Sequence, residues 1–312
     1  MSPIFKIGPV ELPAYFTLLM VGYTLAVYIG AREGERQGLD RNKLIDMGLW
    51  LLVAGIVGAR VLHVIADGDW PKYKALCQAP TEVFPMPMPD GKKCQSDEDC
   101  KEAKVGEICN KEKGTCHVKD CLRVFKFWYG GLVFYGGLIF AIGTGLYLVR
   151  RYGLPTWKVG DLAGFTIPLG LFFGRMGCFF NGCCFGRICT SWLCLEFPRG
   201  SACYDYQLEH RLIPPMAQYS LPVYPTQLFE AIACLLIFFY LFWKIRRKTF
   251  DGQVFFLFLI LYGIARFLIE FLRSDPRGEL FGLSTSQLIS IPAVVVGGFL
   301  YYYYKKRRTC ER

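Results

Sequence analysis

The chain has 312 residues, 53% of them apolar and 16% aromatic, and a formal charge of +10. Soluble domains are about 45–50% apolar, and here the excess is gathered into long blocks. The charge invites a nucleic-acid partner, but the basic residues alternate with apolar blocks in short connections, which excludes one.

Seven blocks approach the ~20 residues that cross hydrocarbon: 12–30, 45–65, 129–149, 159–180, 225–243, 253–272 and 286–304. The expected fold is therefore an all-α polytopic membrane protein. Its segments read as 1–65 (spans one and two), 66–128 (a Cys-rich insert), 129–187 (spans three and four), 188–222 (a polar head segment) and 223–312 (spans five to seven with a basic tail).

Residues 4–12 form a short lead, and Tyr15 opens the first span, where an interfacial tyrosine serves as an aromatic-belt anchor. The second span carries Gly55 and Gly58, small residues suited to close helix packing. Arg60 and His63 follow near its outer end, and the arginine is expected to be paired inside the bundle rather than facing lipid. The insert is Pro-rich over 80–90, an extended spacer, and then Cys-rich over 94–121, read as a disulfide knot in preference to a zinc site. Span three opens on two aromatic-Gly-Gly-Leu units, at Tyr129 and Tyr135. The Tyr135 hydroxyl can donate to an anion or simply pack.

Span four ends in the stretch 174–187, which holds Arg175, Gly177, Asn181, Gly182, Gly186 and Arg187. An arginine at the end of an apolar run costs a few kcal/mol unless it meets a partner, a cavity or the headgroup zone. Standing alone, Arg175 would be explained by snorkelling. Span five starts with a proline turn that sets Gln227 and Glu230 on one face, and Glu230 wants a basic partner. In span six, Tyr262, Arg266, Glu270 and Arg273 fall within about 80° of one another at 100° per residue. Such a stripe must face the protein interior or a wet cavity. An Arg266–Glu270 pair can be purely structural, yet two arginines for one glutamate leave positive charge over, and that charge favours an anion.

Arg32, Arg36, Arg41 and Lys43 lie between spans one and two, Arg150, Arg151 and Lys158 between three and four, and Lys244, Arg246, Arg247 and Lys248 between five and six. Lys305, Lys306, Arg307 and Arg308 follow span seven. This alternation puts the N-terminus outside and the C-terminus inside. A basic leader and a small-residue cleavage site are both missing, so the first span is expected to stay as an anchor. Twelve of the fourteen cysteines fall in or at the edge of the two outer segments, where even numbers suggest disulfides of undetermined connectivity. Arginines at headgroup depth suit a phospholipid phosphate and can stabilise its departure without a metal.

These residues resemble the prolipoprotein diacylglyceryl transferase family over nearly the whole chain, the Cys-rich insert and parts of the second outer segment excepted. The matching pieces are residues 4–15, 134–138, 174–177 with Asn181-Gly182 and Gly186-Arg187, 224–230 and 262–273. The resemblance implies transfer of the diacylglyceryl group of phosphatidylglycerol to the lipobox cysteine thiol of a prolipoprotein signal peptide, the first step of bacterial lipoprotein maturation. It implies a multi-pass protein of the inner membrane, with its site toward the periplasm and with membrane lipids as its other partners. No cofactor and no metal are implied. Arg175, Arg266, Tyr135 and Glu270 become the candidate catalytic residues. Tyr15, Asn181, Gly186, Glu230, Tyr262, Arg273 and Gln227 become the candidate substrate-binding residues.

The chain departs from the family pattern at four places: Tyr135 stands for a histidine, Cys178 for an asparagine, Cys183 for a glutamate and Tyr224 for a histidine. With an unperturbed pKa of about 10, a tyrosine is a poor base near neutral pH. Two other readings compete with the transferase: a thiol–disulfide membrane enzyme using Cys178, Cys183 and Cys184, and a lipid carrier whose arginines only bind headgroups.

Overall fold

The computed structural model describes residues 4–7, 10–66, 68, 70–86, 88, 93–103, 105–125, 133–274, 279–280 and 282–310. The first copy of the aromatic-Gly-Gly-Leu unit, 129–132, lies outside them. The chain divides into two compact units, residues 1–45 with 149–312, and residues 46–148.

The first unit opens with a hairpin, β1 (Ile4–Ile7) paired antiparallel to β2 (Val10–Pro13), so the lead is a ribbon rather than the start of the helix. The helix α1 (Ala14–Arg36) follows Pro13 directly, since proline fixes φ for a helix entry. Next come α2 (Arg41–Ala66), which runs on into the second unit, and α3 (Trp70–Gln78). The helix α4 (Asp97–Glu102) and the hairpin β3 (Ile108–Asn110) with β4 (Thr115–His117) lie in the insert, and α5 (Phe134–Arg151) closes that unit. The rest is α6 (Thr156–Asn181), the short α7 (Ala202–Glu209), α8 (Thr226–Ile245), α9 (Gln253–Glu270), the hairpin β5 (Glu279–Leu280) with β6 (Leu283–Ser284), and α10 (Thr285–Cys310).

Six helices among the described residues, α1, α2, α6, α8, α9 and α10, are long and apolar enough to cross a membrane. Their chemistry is inverted relative to a soluble core. Leu236, Phe239 and Trp243 of α8 and Val295, Phe299 and Tyr302 of α10 face outward, whereas Glu230, Arg266, Glu270 and Arg273 are buried. Lipid explains both halves of that pattern.

In the first unit α6 is the hub, packing against α1, α8 and α9, while α9 packs in turn on α10. One end of this bundle is held by Asp161 of α6, which is fully buried. Its carboxylate accepts the backbone N–H groups of Gly252, Val254 and Phe255 and pairs with Lys248 at 2.8 Å. A carboxylate on the positive N-terminus of α9 thus satisfies donors that the helix itself cannot. Sequence reasoning passed over Asp161, whose donors come from a segment about ninety residues on.

In the second unit Gly58 meets Gly136 and Phe140 so closely that a Cβ would stand 2.5 Å from the Gly136 carbonyl oxygen. Close packing is thus the use of the Gly55/Gly58 face. Arg60 is buried and paired, donating to the Val124 and Arg123 carbonyls at 2.7 and 2.8 Å. The insert is knotted by Cys77–Cys121, Cys94–Cys109 and Cys100–Cys116. The second polar segment differs from the paired expectation. Cys189 bonds Cys194, but Cys178, Cys183, Cys184 and Cys203 form no disulfide.

Candidate headgroup site

At the other end of the first bundle, three helices bring buried charge together. Arg175 lies six residues before the end of α6, about 9 Å along the axis. Glu230 is one turn into α8, and Arg266 one turn before the end of α9. Each of these positions is expensive for an isolated charge, so each needs the others.

Glu230, 1% exposed, is the centre. Its Oε1 accepts the Tyr262 hydroxyl at 3.0 Å and pairs with Arg175 Nη2 at 2.9 Å. Its Oε2 faces Arg266 Nη1 at 3.6 Å and Arg273 Nη1 at 3.9 Å. Arg266 Nη2 pairs with Glu270 at 2.6 Å and donates to Ser286 Oγ of α10 at 2.9 Å. Arg273 Nε stands 3.8 Å from Glu270. The stripe read on span six is therefore real, and α8 supplies the carboxylate that joins it to Arg175. Among the described residues the cluster holds three guanidinium groups against two carboxylates, an excess of one positive charge. Glu230 Oε2 and Arg266 Nη1 are buried yet make no hydrogen bond, and neither does Gln227 Oε1. Buried polar atoms are usually hydrogen-bonded, so an ion pair as long as 3.6 Å beside the unbonded Gln227 Oε1 marks a site for something else.

The surrounding backbone is clamped. Gln227 Nε2 donates to the Cys183 carbonyl at 2.6 Å, and Thr226 Oγ1 to the Cys184 carbonyl at 2.8 Å. Asn181 ends α6 and its side chain bonds the Cys183 thiol. The Gly186 N–H donates to Tyr224 O at 2.9 Å, and Gly186 bridges Arg273. A Cβ at Gly186 would stand 2.6 Å from Leu272 O, so glycine serves a three-way backbone contact here. Tyr15 packs on α6 where a Cβ at Gly177 would meet its ring at 2.9 Å. Tyr135 belongs to the second unit, in the first turn of α5, with its ring edge-on to Phe134.

Beside the cluster, an apolar groove of about 250 Å³ runs between α9 and α10, lined by residues including Gly263, Phe267, Ser290 and Val294. Beyond the span ends, burial pushes the Cys203 thiol up to about 11, which keeps it protonated and inert.

A multi-pass helical membrane protein with a buried, net-positive arginine–carboxylate cluster beside a lipid-facing groove is the class that fold and site define. The family model for prolipoprotein diacylglyceryl transferase matches residues 2–87 and 103–303, and the chain belongs to that family. Among relatives named phosphatidylglycerol–prolipoprotein diacylglyceryl transferase, that of Proteus mirabilis is 38% identical over 306 residues, covering 94% of this chain and 88% of its own. The Vibrio vulnificus relative is 35% identical, covering 94% and 87%, and the Clostridium tetani relative 26%, covering 96% of both.

Proposed function

We propose that this chain transfers the diacylglyceryl group of phosphatidylglycerol to the lipobox cysteine thiol of a prolipoprotein, the first step of lipoprotein maturation. The relatives' names and the family match support the reaction, and the carrying observation is the unbalanced cluster around Glu230. Arg175, Arg266 and Arg273 hold the lipid phosphate. As the carbon–oxygen bond to phosphate breaks, the same groups take up the charge growing on the departing glycerol phosphate. Glu230 and Glu270 keep the guanidinium groups oriented, Tyr262 fixes Glu230, and Gln227 Oε1 adds an acceptor for the glycerol hydroxyls. Tyr15, Asn181 and Gly186 shape the wall. The α9–α10 groove takes part of an acyl chain.

The membrane is the bacterial inner membrane. In this reading α5, whose 18 residues end on Arg150 and Arg151, is the seventh span. The basic connections then lie in the cytoplasm, the N-terminus and the Cys-rich segments 66–128 and 188–222 in the periplasm, and the site opens on the periplasmic side. The segments 1–65, 129–187 and 223–312 carry the spans.

Release of glycerol phosphate from labelled phosphatidylglycerol, with a lipobox peptide as acceptor, tests the reading. Arg175→Ala and Arg266→Ala should each abolish release in folded protein. Lipid binding without release in the unmodified protein would make it a carrier instead.

A further inference from the structure

The motif 174–187 places three cysteines outside any disulfide where the function above uses none. Cys178, on the last turn of α6, and Cys183 and Cys184, just beyond it, hold their sulfur atoms all within 4.8 Å of one another. Adjacent cysteines in extended chain point to opposite sides, so convergence needs a device. Cys184 supplies it with φ +62°, a left-handed conformation costly for a residue with a side chain, two residues after Gly182 at φ +66°. The bend is held by the Gln227 and Thr226 side chains on the two cysteine carbonyls, and by the Cys183 N–H on Cys178 O at 3.1 Å. Cys94, Cys100 and Cys109 are equally close, but they are consumed by disulfides.

Three thiolates around one tetrahedral zinc at about 2.3 Å stand about 3.8 Å apart, a small closure of the spacing seen. Arg273 lies against Cys184 and offsets the negative charge that three thiolates leave on a divalent cation. Among the described residues no fourth His, Cys, Asp or Glu joins the group. Zinc with three protein ligands keeps its fourth position for water or substrate. The chemistry next door is alkylation of a thiol, and a thiol bound to zinc is deprotonated outright.

We propose that Cys178, Cys183 and Cys184 bind one zinc ion whose fourth position receives the acceptor cysteine thiol, an inference that rests on the transferase reading above. The acceptor sulfur forms its bond to the terminal glyceryl carbon of phosphatidylglycerol. The bond from that carbon to the phosphate oxygen breaks, its electron pair leaves with glycerol phosphate, and the thiol proton released on coordination goes to water. Zinc thereby supplies the activated nucleophile that Tyr135 is ill suited to generate.

The test uses the full-length protein in detergent. Elemental analysis should find one zinc per chain, lost in Cys178→Ser, Cys183→Ser and Cys184→Ser but kept in Cys203→Ser. Chelator-stripped unmodified protein, refilled with zinc, gives the same stoichiometry without relying on a variant's folding. With cobalt in place of zinc, a lipobox peptide should raise the thiolate charge-transfer absorbance by about a third, as three sulfur ligands become four, and its Cys→Ser counterpart should not. Zinc-free protein lacking two of the three thiols, the mark of a disulfide, overturns the site. Zinc bound with an absorbance indifferent to the peptide thiol overturns its role. Both readouts are independent of turnover, so a chain that released no glycerol phosphate would sink the transferase reading and leave the metal site standing.

Discussion

Arg175 and Glu230 meet at 2.9 Å across α6 and α8, and this pair ties the signature stretch to the charged stripe of α9. Glu230 also lies within 4.0 Å of Arg266 and Arg273, so a single carboxylate holds the charges that would otherwise repel one another. Breaking a buried ion pair by removing one partner costs about 3–5 kcal/mol, because the other charge stays behind unpaired. Glu230→Gln should therefore unfold at a markedly lower temperature than the unmodified protein and release no glycerol phosphate. Tyr262→Phe removes one hydrogen bond to that charge, worth about 1.5–3 kcal/mol, and should fall between the two. Thermal unfolding in detergent gives the ranking, and a Glu230→Gln protein as stable as the original would contradict the central role of this residue.

Much of this site could be read along the chain because hydrocarbon makes charge conspicuous. The stripe of Tyr262, Arg266, Glu270 and Arg273 was visible from helical spacing alone, and Arg175 from its place at the end of an apolar run. The centrality of Glu230 was not visible, since three helices must converge before one carboxylate can serve three arginines. That Cys178, Cys183 and Cys184 form no disulfide was equally hidden. Counting cysteines on one side suggests disulfides, whereas only the left-handed turn at Cys184 shows that three sulfur atoms share one spot. The hairpin at residues 4–13 was masked by the same apolar composition that marks the first span.

Asp161 and Lys248 define a second, purely structural test. Burial alone would lower the Lys248 pKa, but pairing with Asp161 and Asp251 outweighs it and raises the value above 10.5. A raised lysine stabilises the fold below its unfolded pKa and loses that contribution as pH climbs through the folded one. The stability difference between the unmodified protein and Lys248→Met should thus stay constant from neutral pH to about 10 and shrink above it. Asp161→Asn, which leaves Lys248 without this partner, should lower thermal stability while the phosphate cluster at the opposite end of the bundle keeps its affinity for phosphatidylglycerol. A binding isotherm checks the second half.

The insert offers a prediction independent of the bundle. Cys77–Cys121 closes a loop with a sequence separation of 44. Loop-closure entropy assigns such a bridge about 4 kcal/mol of stabilisation. The double variant Cys77→Ser/Cys121→Ser should therefore be nicked within 66–126 at protease levels the unmodified protein resists. Glycerol phosphate release should survive, because the headgroup cluster takes no residue from the insert. Loss of release with the insert merely nicked would assign that segment a part in the reaction.

Gly186 gives the sharpest geometric test. Its N–H bonds Tyr224 O at 2.9 Å, and the next N–H, of Arg187, bonds Leu272 O at 2.8 Å, so the signature stretch is stitched directly to the end of α9. An added methyl would sit 2.6 Å from Leu272 O and 2.8 Å from Tyr224 O, backbone atoms that cannot rotate away. Overpacking of this kind costs about 1–3 kcal/mol, and the strain falls on Leu272 and Arg273. Gly186→Ala should accordingly lose stability in that range, and by displacing the Arg273 guanidinium it should also weaken phosphatidylglycerol binding. Gly143→Ala is the matched control: among the described residues nothing beyond its own stretch of helix lies within 4 Å of its added methyl, and alanine suits a helix interior better than glycine by about 0.5–1 kcal/mol. If the two variants unfold alike and bind lipid alike, the backbone contact drawn between residues 186 and 272 does not exist in the membrane.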